Sequence, residues 1–243
     1  MSVILYVGPA WQEQRARIGS RVRMRVRAGM SAWMADNEKR SRAPSTRLPS
    51  ARMAADSFLQ EFFRNWKTVG AVAPSSPALA TRMMESAQVG QAAHVLELGP
   101  GTGAFTGAIL DSMPHNCRYL GIELNGAFVA KLRGAFPGLD FREAGAQEFD
   151  FGSHLEGKQP FDVIVSGLPW TAFPPDLQRA ILGNVLPHLK PGGRFATFAY
   201  YGFHQMPGGR RFRGLLHELL PGVESSRVVW RNLPPAFVYV GRK

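Results

Sequence analysis

The chain of 243 residues contains a single cysteine, Cys117, so it cannot close an internal disulfide and reads as a protein of the reducing cytoplasm. It has no apolar run of the length a membrane span needs. Val3–Tyr6 is too short for a signal-peptide core and has no basic flank ahead of it. No segment repeats, and no group of His, Cys, Asp or Glu has metal-ligand spacing. Acids are scarce: 18 Asp and Glu stand against 29 Lys and Arg, a formal net charge of +11. The imbalance is local, because residues 1–52 hold eleven basic and three acidic side chains, +8 of that total. Such an arm attracts anionic lipid or nucleic acid and says little about a catalytic pocket.

What is present is a glycine-loop pattern in the middle of the chain. His94-Val-Leu-Glu-Leu-Gly-Pro-Gly-Thr-Gly103, followed by Tyr119-Leu-Gly-Ile-Glu123, reads as strand, glycine loop, helix, strand, acid. The run Val95–Leu98 suits a strand covered on both faces. Gly99, Gly101 and Gly103, with Pro100 between them, let the backbone turn and approach a ligand. The helical spacing of Phe105–Met113 places free N–H groups beside the loop. Glu123 is placed to accept from two ribose hydroxyls. The loop fits the dinucleotide fingerprint G-x-G-x-x-G/A, and also the E-x-G-x-G-x-G loop of S-adenosylmethionine (SAM) methyltransferases. Glu97 favours SAM, since a carboxylate there suits the cationic methionine end and would face a pyrophosphate badly.

The remainder alternates strands and helices, as a doubly wound sheet does. Strands are expected at 94–98, 118–123, 139–142, 161–166 and 194–201, with helices at 77–87, 124–135 and 175–189. The stretches 226–230 and 236–240 flank Arg231-Asn-Leu-Pro-Pro235 as a terminal hairpin. The expected fold is therefore α/β, the Rossmann-like class I SAM methyltransferase fold, with a mostly parallel sheet in the order 3-2-1-4-5-7-6, its last strand antiparallel and helices on both faces. Residues 1–50 read as a basic arm and Pro/Ser-rich linker. Residues 51–76 read as an amphipathic helical extension with a cofactor-covering loop, and 77–243 as the methyltransferase domain. On the 51–66 helix, Phe58, Phe62, Phe63 and Trp66 form an apolar stripe suited either to an interfacial membrane helix or to packing on the domain itself.

At Ser166-Gly-Leu-Pro-Trp170, where the fourth strand ends, nucleic-acid adenine methyltransferases carry Asn-Leu/Pro-Pro-Tyr/Phe. Here Gly167 stands in the Asn position, which removes the acceptor for a planar base amine and leaves room for a tetrahedral one. Tyr200, Tyr201 and His204 follow the fifth strand at the same edge.

The chain resembles the bacterial phospholipid N-methyltransferases that convert phosphatidylethanolamine to phosphatidylcholine, over roughly residues 58–243. The resemblance rests on Thr68-Val-Gly-Ala-Val-Ala-Pro-Ser-Ser76, Leu96–Gly103, Val165-Ser-Gly-Leu-Pro169, Tyr201-Gly202 and Arg231-Asn-Leu-Pro-Pro235. It implies a SAM site built from Thr68, Gly70, Glu97, Gly99, Pro100, Gly101, Gly103, Glu123, Leu124, Ala146, Gln147 and Ser166, and no metal. Ala144-Gly-Ala-Gln147 departs from the Gly-Asp-Ala of many relatives, so adenine meets Gln147 or backbone. Tyr201 is expected to orient the amine and accept its proton, with His204 as a second candidate. Trp170 and Phe173 are expected to hold the methylated cation. A mobile basic loop over 205–213, with Arg210, Arg211 and Arg213, is expected to meet the lipid phosphate. The implied partners are phosphatidylethanolamine and anionic lipid on the cytoplasmic membrane face, with no nucleic acid and no obligate protein partner. The competing reading is an rRNA or other nucleic-acid adenine N6-methyltransferase, supported by the basic arm.

Overall fold

The computed structural model describes residues 75–243. Phe58, Phe62, Phe63, Trp66, Thr68 and Gly70 lie outside the described residues, as does the basic arm.

Helix α1 (Pro77–Ala87) begins at Ser76, whose hydroxyl accepts the Leu79 N–H, with proline preset for the first turn. Strand β1 (His94–Leu98) is buried at every position, as a strand covered on both faces must be. Then follow α2 (Ala104–Ser112), β2 (Arg118–Glu123), α3 (Gly126–Ala135), β3 (Asp140–Glu143), the single turn α4 (Phe151–His154) and β4 (Phe161–Ser166). The chain closes with α5 (Pro175–Val185), β5 (Leu189–Tyr200), α6 (Pro207–Leu219), β6 (Glu224–Ser225) and β7 (Ala236–Arg242).

The strands form one seven-stranded sheet in the order 3-2-1-4-5-7-6. The first five strands run parallel, and β7 is antiparallel to both its neighbours. This is the order expected from the sequence. Three backbone bonds align the carboxyl ends of the parallel strands: Gly99 N–H to Ile122 O (2.9 Å), Ala144 N–H to Glu123 O (3.0 Å) and Gly167 N–H to Leu98 O (2.8 Å). The loops after β1 to β4 therefore meet at one edge, where open α/β sheets bind ligands.

Three local expectations change. Strand β5 starts five residues early, because Pro191-Gly192-Gly193 forms an irregularity inside the strand, Gly192 at φ +75°, instead of a turn before it. The expected strand 226–230 is displaced to Glu224–Ser225, with one further bridge from Val229 to Ala236. Ser226 Oγ accepts the Val238 N–H at 3.0 Å, and Pro234 and Pro235 offer no N–H to extend the ladder. The basic segment 205–213 is mainly helix: α6 starts at Pro207, and a Cβ at Gly209 would stand 2.5 Å from Phe203 O and 2.6 Å from His204 Cα. The glycine serves close approach between helix and preceding turn; it does not mark a loop.

Candidate active site

Glu97 lies fully buried near the end of β1. Its Oε2 accepts from Tyr119 Oη at 2.5 Å and from Thr106 Oγ1 at 2.8 Å. Its Oε1 is buried without a hydrogen-bond partner among the described residues. Burial drives the carboxyl up to about 7, against the opposing pull of the Tyr119 and Thr106 hydroxyls. Burial and the neighbouring Glu97 also push the Tyr119 phenol well up, so it stays a donor. Tyr119 and Thr106 escaped the sequence reading, yet a signal existed. Gly121 sits opposite Glu97 in the β1–β2 register, and a Cβ there would lie 2.7 Å from Tyr119 Oη. The glycine inside the strand leaves the path by which tyrosine reaches the glutamate.

The loop itself holds Gly99, Gly101 and Gly103 at φ +68°, +58° and +87°. Pro100 is buried between the first two. Glu123, 1% exposed, accepts from Gly101 N–H at 3.0 Å through Oε2 and from Asn125 N–H at 2.9 Å through Oε1. Burial raises its carboxyl above the ordinary value. Backbone N–H groups on either side of the carboxylate, Gly101 from the loop and Asn125 after β2, make Glu123 a clamp between the glycine loop and β2. Leu124 follows, half-buried. Beyond β3, Ala146 is buried and its carbonyl accepts from Asn184 Nδ2 at 2.9 Å, while the Gln147 side chain folds back over Gly145.

Gly167 has a different reason from the one expected. A Cβ there would stand 2.8 Å from Gly99 O, so the β4 turn rests directly on the glycine loop. The missing side chain lets two loops pack; it does not open space for an acceptor.

The aromatic residues of this edge also change roles. Trp170 is 2% exposed: it stacks on Phe212 of α6 at 5.0 Å, meets Phe173 and Phe195 edge-on at 6.0 Å, and donates Nε1–H to Ser166 Oγ at 3.0 Å. Neither it nor the equally buried Phe173 presents a ring to a methylated cation. Trp170 is instead a post that carries α6 on the end of β4. The Ser166 hydroxyl, expected at the cofactor, is taken up by Trp170 and by the Leu168 N–H at 3.3 Å. Tyr200 is buried too, and burial pushes its phenol up. Trp170→Ala is therefore expected to destabilise the fold by about 3–5 kcal/mol in denaturant unfolding, whereas a ligand-facing tryptophan would leave stability nearly unchanged.

Tyr201 remains open, 48% exposed, between the rings of His204 (5.7 Å) and Trp230 (5.5 Å). Its N–H donates to Pro235 O at 2.7 Å. His204 Nδ1 accepts the Gly202 N–H at 3.2 Å. A cavity of about 240 Å³ opens beside these two residues, lined also by Arg213, His217, Glu224, Ser225 and Tyr239. Arg210 and Arg211 are exposed near the start of α6. A shallower cleft of about 650 Å³ runs from Thr102 and Gly103 along α2 to Ser75, Pro77 and Thr81. No His/Cys/Asp/Glu group suited to a metal occurs among the described residues.

A model of a methyltransferase domain matches residues 96–195. The ornithine lipid N-methyltransferase of Singulisphaera acidiphila is 32% identical over 190 residues, 76% of this chain and 94% of that protein. The chain belongs to the bacterial lipid N-methyltransferases. Among solved structures, the methyltransferase shares its fold with the 1,6-didemethyltoxoflavin-N1-methyltransferase of Burkholderia thailandensis. That structure contains S-adenosylhomocysteine; identity is 17%, the TM-score 0.57, and the match covers 83% of this chain and 93% of that one. An O-methyltransferase from Bacillus cereus in complex with SAH gives 18%, 0.55, 82% and 94%.

The enzyme is SAM-dependent, and its residues fit that cofactor. The unpartnered Glu97 Oε1 is a buried acceptor waiting for a cationic donor. The glycine cradle has no room for side chains at Gly99 and Gly103, where a Cβ would stand 2.6 Å from Leu168 Cδ2 and 2.8 Å from Phe136 Cε2. Glu97 and the Gly99–Gly103 loop would hold the methionine end, Glu123 the ribose, and Leu124 with Ala146 and Gln147 the adenine. When bound, SAM supplies a methyl group on a sulfonium leaving group. The protein contributes alignment and a neutral nucleophile.

Proposed function

We propose that the enzyme methylates the amine of phosphatidylethanolamine, and then its mono- and dimethyl products, to phosphatidylcholine on an anionic membrane surface at the cytoplasmic face. The observation that carries this reading is the cavity at Tyr201. His204, Arg213, His217 and Ser225 line it from α6, β6 and the turn between β5 and α6, with the Glu224 carboxylate among them. Donors spread over several elements suit a tetrahedral phosphodiester; a planar carboxylate needs only one arginine fork. With the phosphate there, the short ethanolamine arm brings its nitrogen past Tyr201 toward the carboxyl edge of the sheet.

An alkyl ammonium titrates near ~10.4, so at neutral pH the amine must lose a proton before it attacks. In this reading Tyr201 orients the amine through its hydroxyl and passes the proton to the solvent it faces. Tyr201→Phe is expected to lower kcat about 10²-fold with little change in KM for the lipid, measured on vesicles with saturating SAM.

The relative from Singulisphaera acidiphila favours a second reading, in which the acceptor is an ornithine lipid. Its headgroup also pairs an aliphatic amine with an anion, a carboxylate. Vesicles of phosphatidylglycerol containing equal phosphatidylethanolamine and ornithine lipid, incubated with methyl-labelled SAM and resolved by thin-layer chromatography, separate the two. Label in the mono-, di- and trimethyl forms of phosphatidylethanolamine supports the proposal, and Arg213→Ala should then raise the KM for that lipid about tenfold or more. Label confined to ornithine lipid replaces it with the second reading. Label in neither lipid overturns both.

A further inference from the structure

The turn between β6 and β7 has no part in the chemistry above. It is tightly held. Asn232, 3% exposed, accepts the Ser76 N–H at 2.9 Å and donates Nδ2–H to Pro234 O at 2.7 Å. The Asn232 N–H donates to Val229 O at 3.2 Å, and Val229 N–H to Ala236 O at 2.7 Å. On either side of this buried asparagine, two large apolar side chains point into solvent: Trp230 is 63% exposed and Leu233 59%. Tyr201, 48% exposed, packs against Trp230. An ordinary solvent-facing turn gains nothing from a tryptophan and a leucine held out rigidly from a pinned backbone.

The turn itself carries charge of one sign, with Glu224 the nearby acid, lining the cavity beside Tyr201. Between Ser226 and Pro235 the chain has Arg227 and Arg231, both exposed, and no acid. Arg210 and Arg211 are exposed at the start of α6, whose Gly209 packs on His204, itself against Tyr201. Tryptophan and tyrosine with adjacent arginines are the composition of a bilayer interface: amphipathic rings at headgroup depth, guanidinium groups among anionic headgroups.

We propose that the Trp230–Leu233 turn is a membrane-inserting tip, with Trp230 and Leu233 entering the interface of an anionic bilayer and Arg227 and Arg231 pairing with its headgroups. The inference rests on the lipid-methylation reading and names the surface by which this edge meets its substrate. Because Tyr201 abuts Trp230, insertion puts the cavity mouth at headgroup level, so the amine reaches the site without leaving the membrane.

The test uses the full chain and vesicles of phosphatidylglycerol and phosphatidylethanolamine, with pure phosphatidylcholine vesicles as the uncharged control. The double variant Trp230→Ser/Leu233→Ser should bind the anionic vesicles about tenfold or more weakly by co-sedimentation, while Leu110→Ser, an exposed apolar residue on α2, should bind as the parent does. Equal losses in both, or none in either, overturn the proposal. An independent readout guards against misfolding of the double variant. An environment-sensitive fluorophore on Leu233→Cys, in a Cys117→Ser background, should shift to the blue on anionic vesicles and stay unshifted on phosphatidylcholine. A probe that is already blue without vesicles means protein covers the turn; a probe that never shifts means it stays in water. Either result overturns the proposal. Methylation of short-chain phosphatidylethanolamine by the parent protein, below its micelle concentration, tests the function apart from the tip. Label there with unlabelled vesicles keeps the function reading and faults the tip; label in neither short-chain lipid nor vesicles defeats the function reading.

Discussion

Replacing Glu97 with glutamine is expected to weaken SAM binding by about 10²–10³-fold at pH 8, because it removes the buried anion that would pair with the methionine ammonium and would leave that cation unpaired. The same change should alter how the cofactor-free protein responds to pH. The Glu97 carboxyl ionises at about 7 in the folded chain and near its ordinary 4.5 when unfolded. Between those values the folded chain holds a proton that the unfolded chain has released. Stability from this group is therefore full below about 4.5 and is lost as pH rises through about 7, an effect of about 3 kcal/mol for a shift of that size. Glutamine does not titrate, so Glu97→Gln should flatten this part of the pH–stability curve, read by denaturant unfolding from pH 4 to 8. In the parent, SAM affinity should climb with pH up to about 7, because only the ionised carboxylate pairs with the ammonium. Calorimetry showing parent-like, pH-independent affinity in the variant would remove Glu97 from the site.

The second large effect is expected at Gly167. An added methyl would stand 2.8 Å from Gly99 O, a backbone atom of the loop that must keep its φ of +68°. The loop has to shift, so Gly167→Ala should lose SAM binding about 10²-fold while costing the fold only ~1–3 kcal/mol, the usual range for overpacking. Gly167→Asn, which restores the residue type of the nucleic-acid adenine enzymes, should abolish cofactor binding without conferring methylation of RNA. The measurement is SAM calorimetry beside a thermal melt. Binding within about twofold of the parent in Gly167→Ala would show that the two loops do not share the constraint.

Local chemistry made the cofactor half of the site readable. The glycine loop, Glu97 two residues before it and Glu123 at the end of the next strand are fixed in spacing by the β–loop–α–β geometry, and the fold brings them to one edge as expected. The acceptor half was not readable in the same way. Trp170 in sequence is an aromatic after Leu-Pro at a ligand-binding edge; in space it is sealed under α6 by Phe212, forty-two residues on. The segment 205–213 looked like a loop because prolines and glycines break helices inside them, but a proline at the first turn starts one and Gly209 admits a crossing backbone. Trp230 escaped notice because exposure has no signature in a single tryptophan.

By itself the sequence determined the alternation of strands and helices, the position of the glycine loop and the SAM dependence, since each follows from periodicity and residue spacing within about thirty positions; the strand order came with the class I methyltransferase fold that the terminal hairpin marks. Only the tertiary structure decided which of these side chains are buried, which are paired and which are exposed. Tyr119 and Thr106 reach Glu97 across strands and from a helix, Trp170 and Phe173 go inside, and Tyr201, Arg213 and Trp230 come to the surface of one edge. The physical reason is that burial and partnership are set by distant packing. A residue's own neighbours in the chain state what it can do; the elements stacked against it state whether it meets core or solvent.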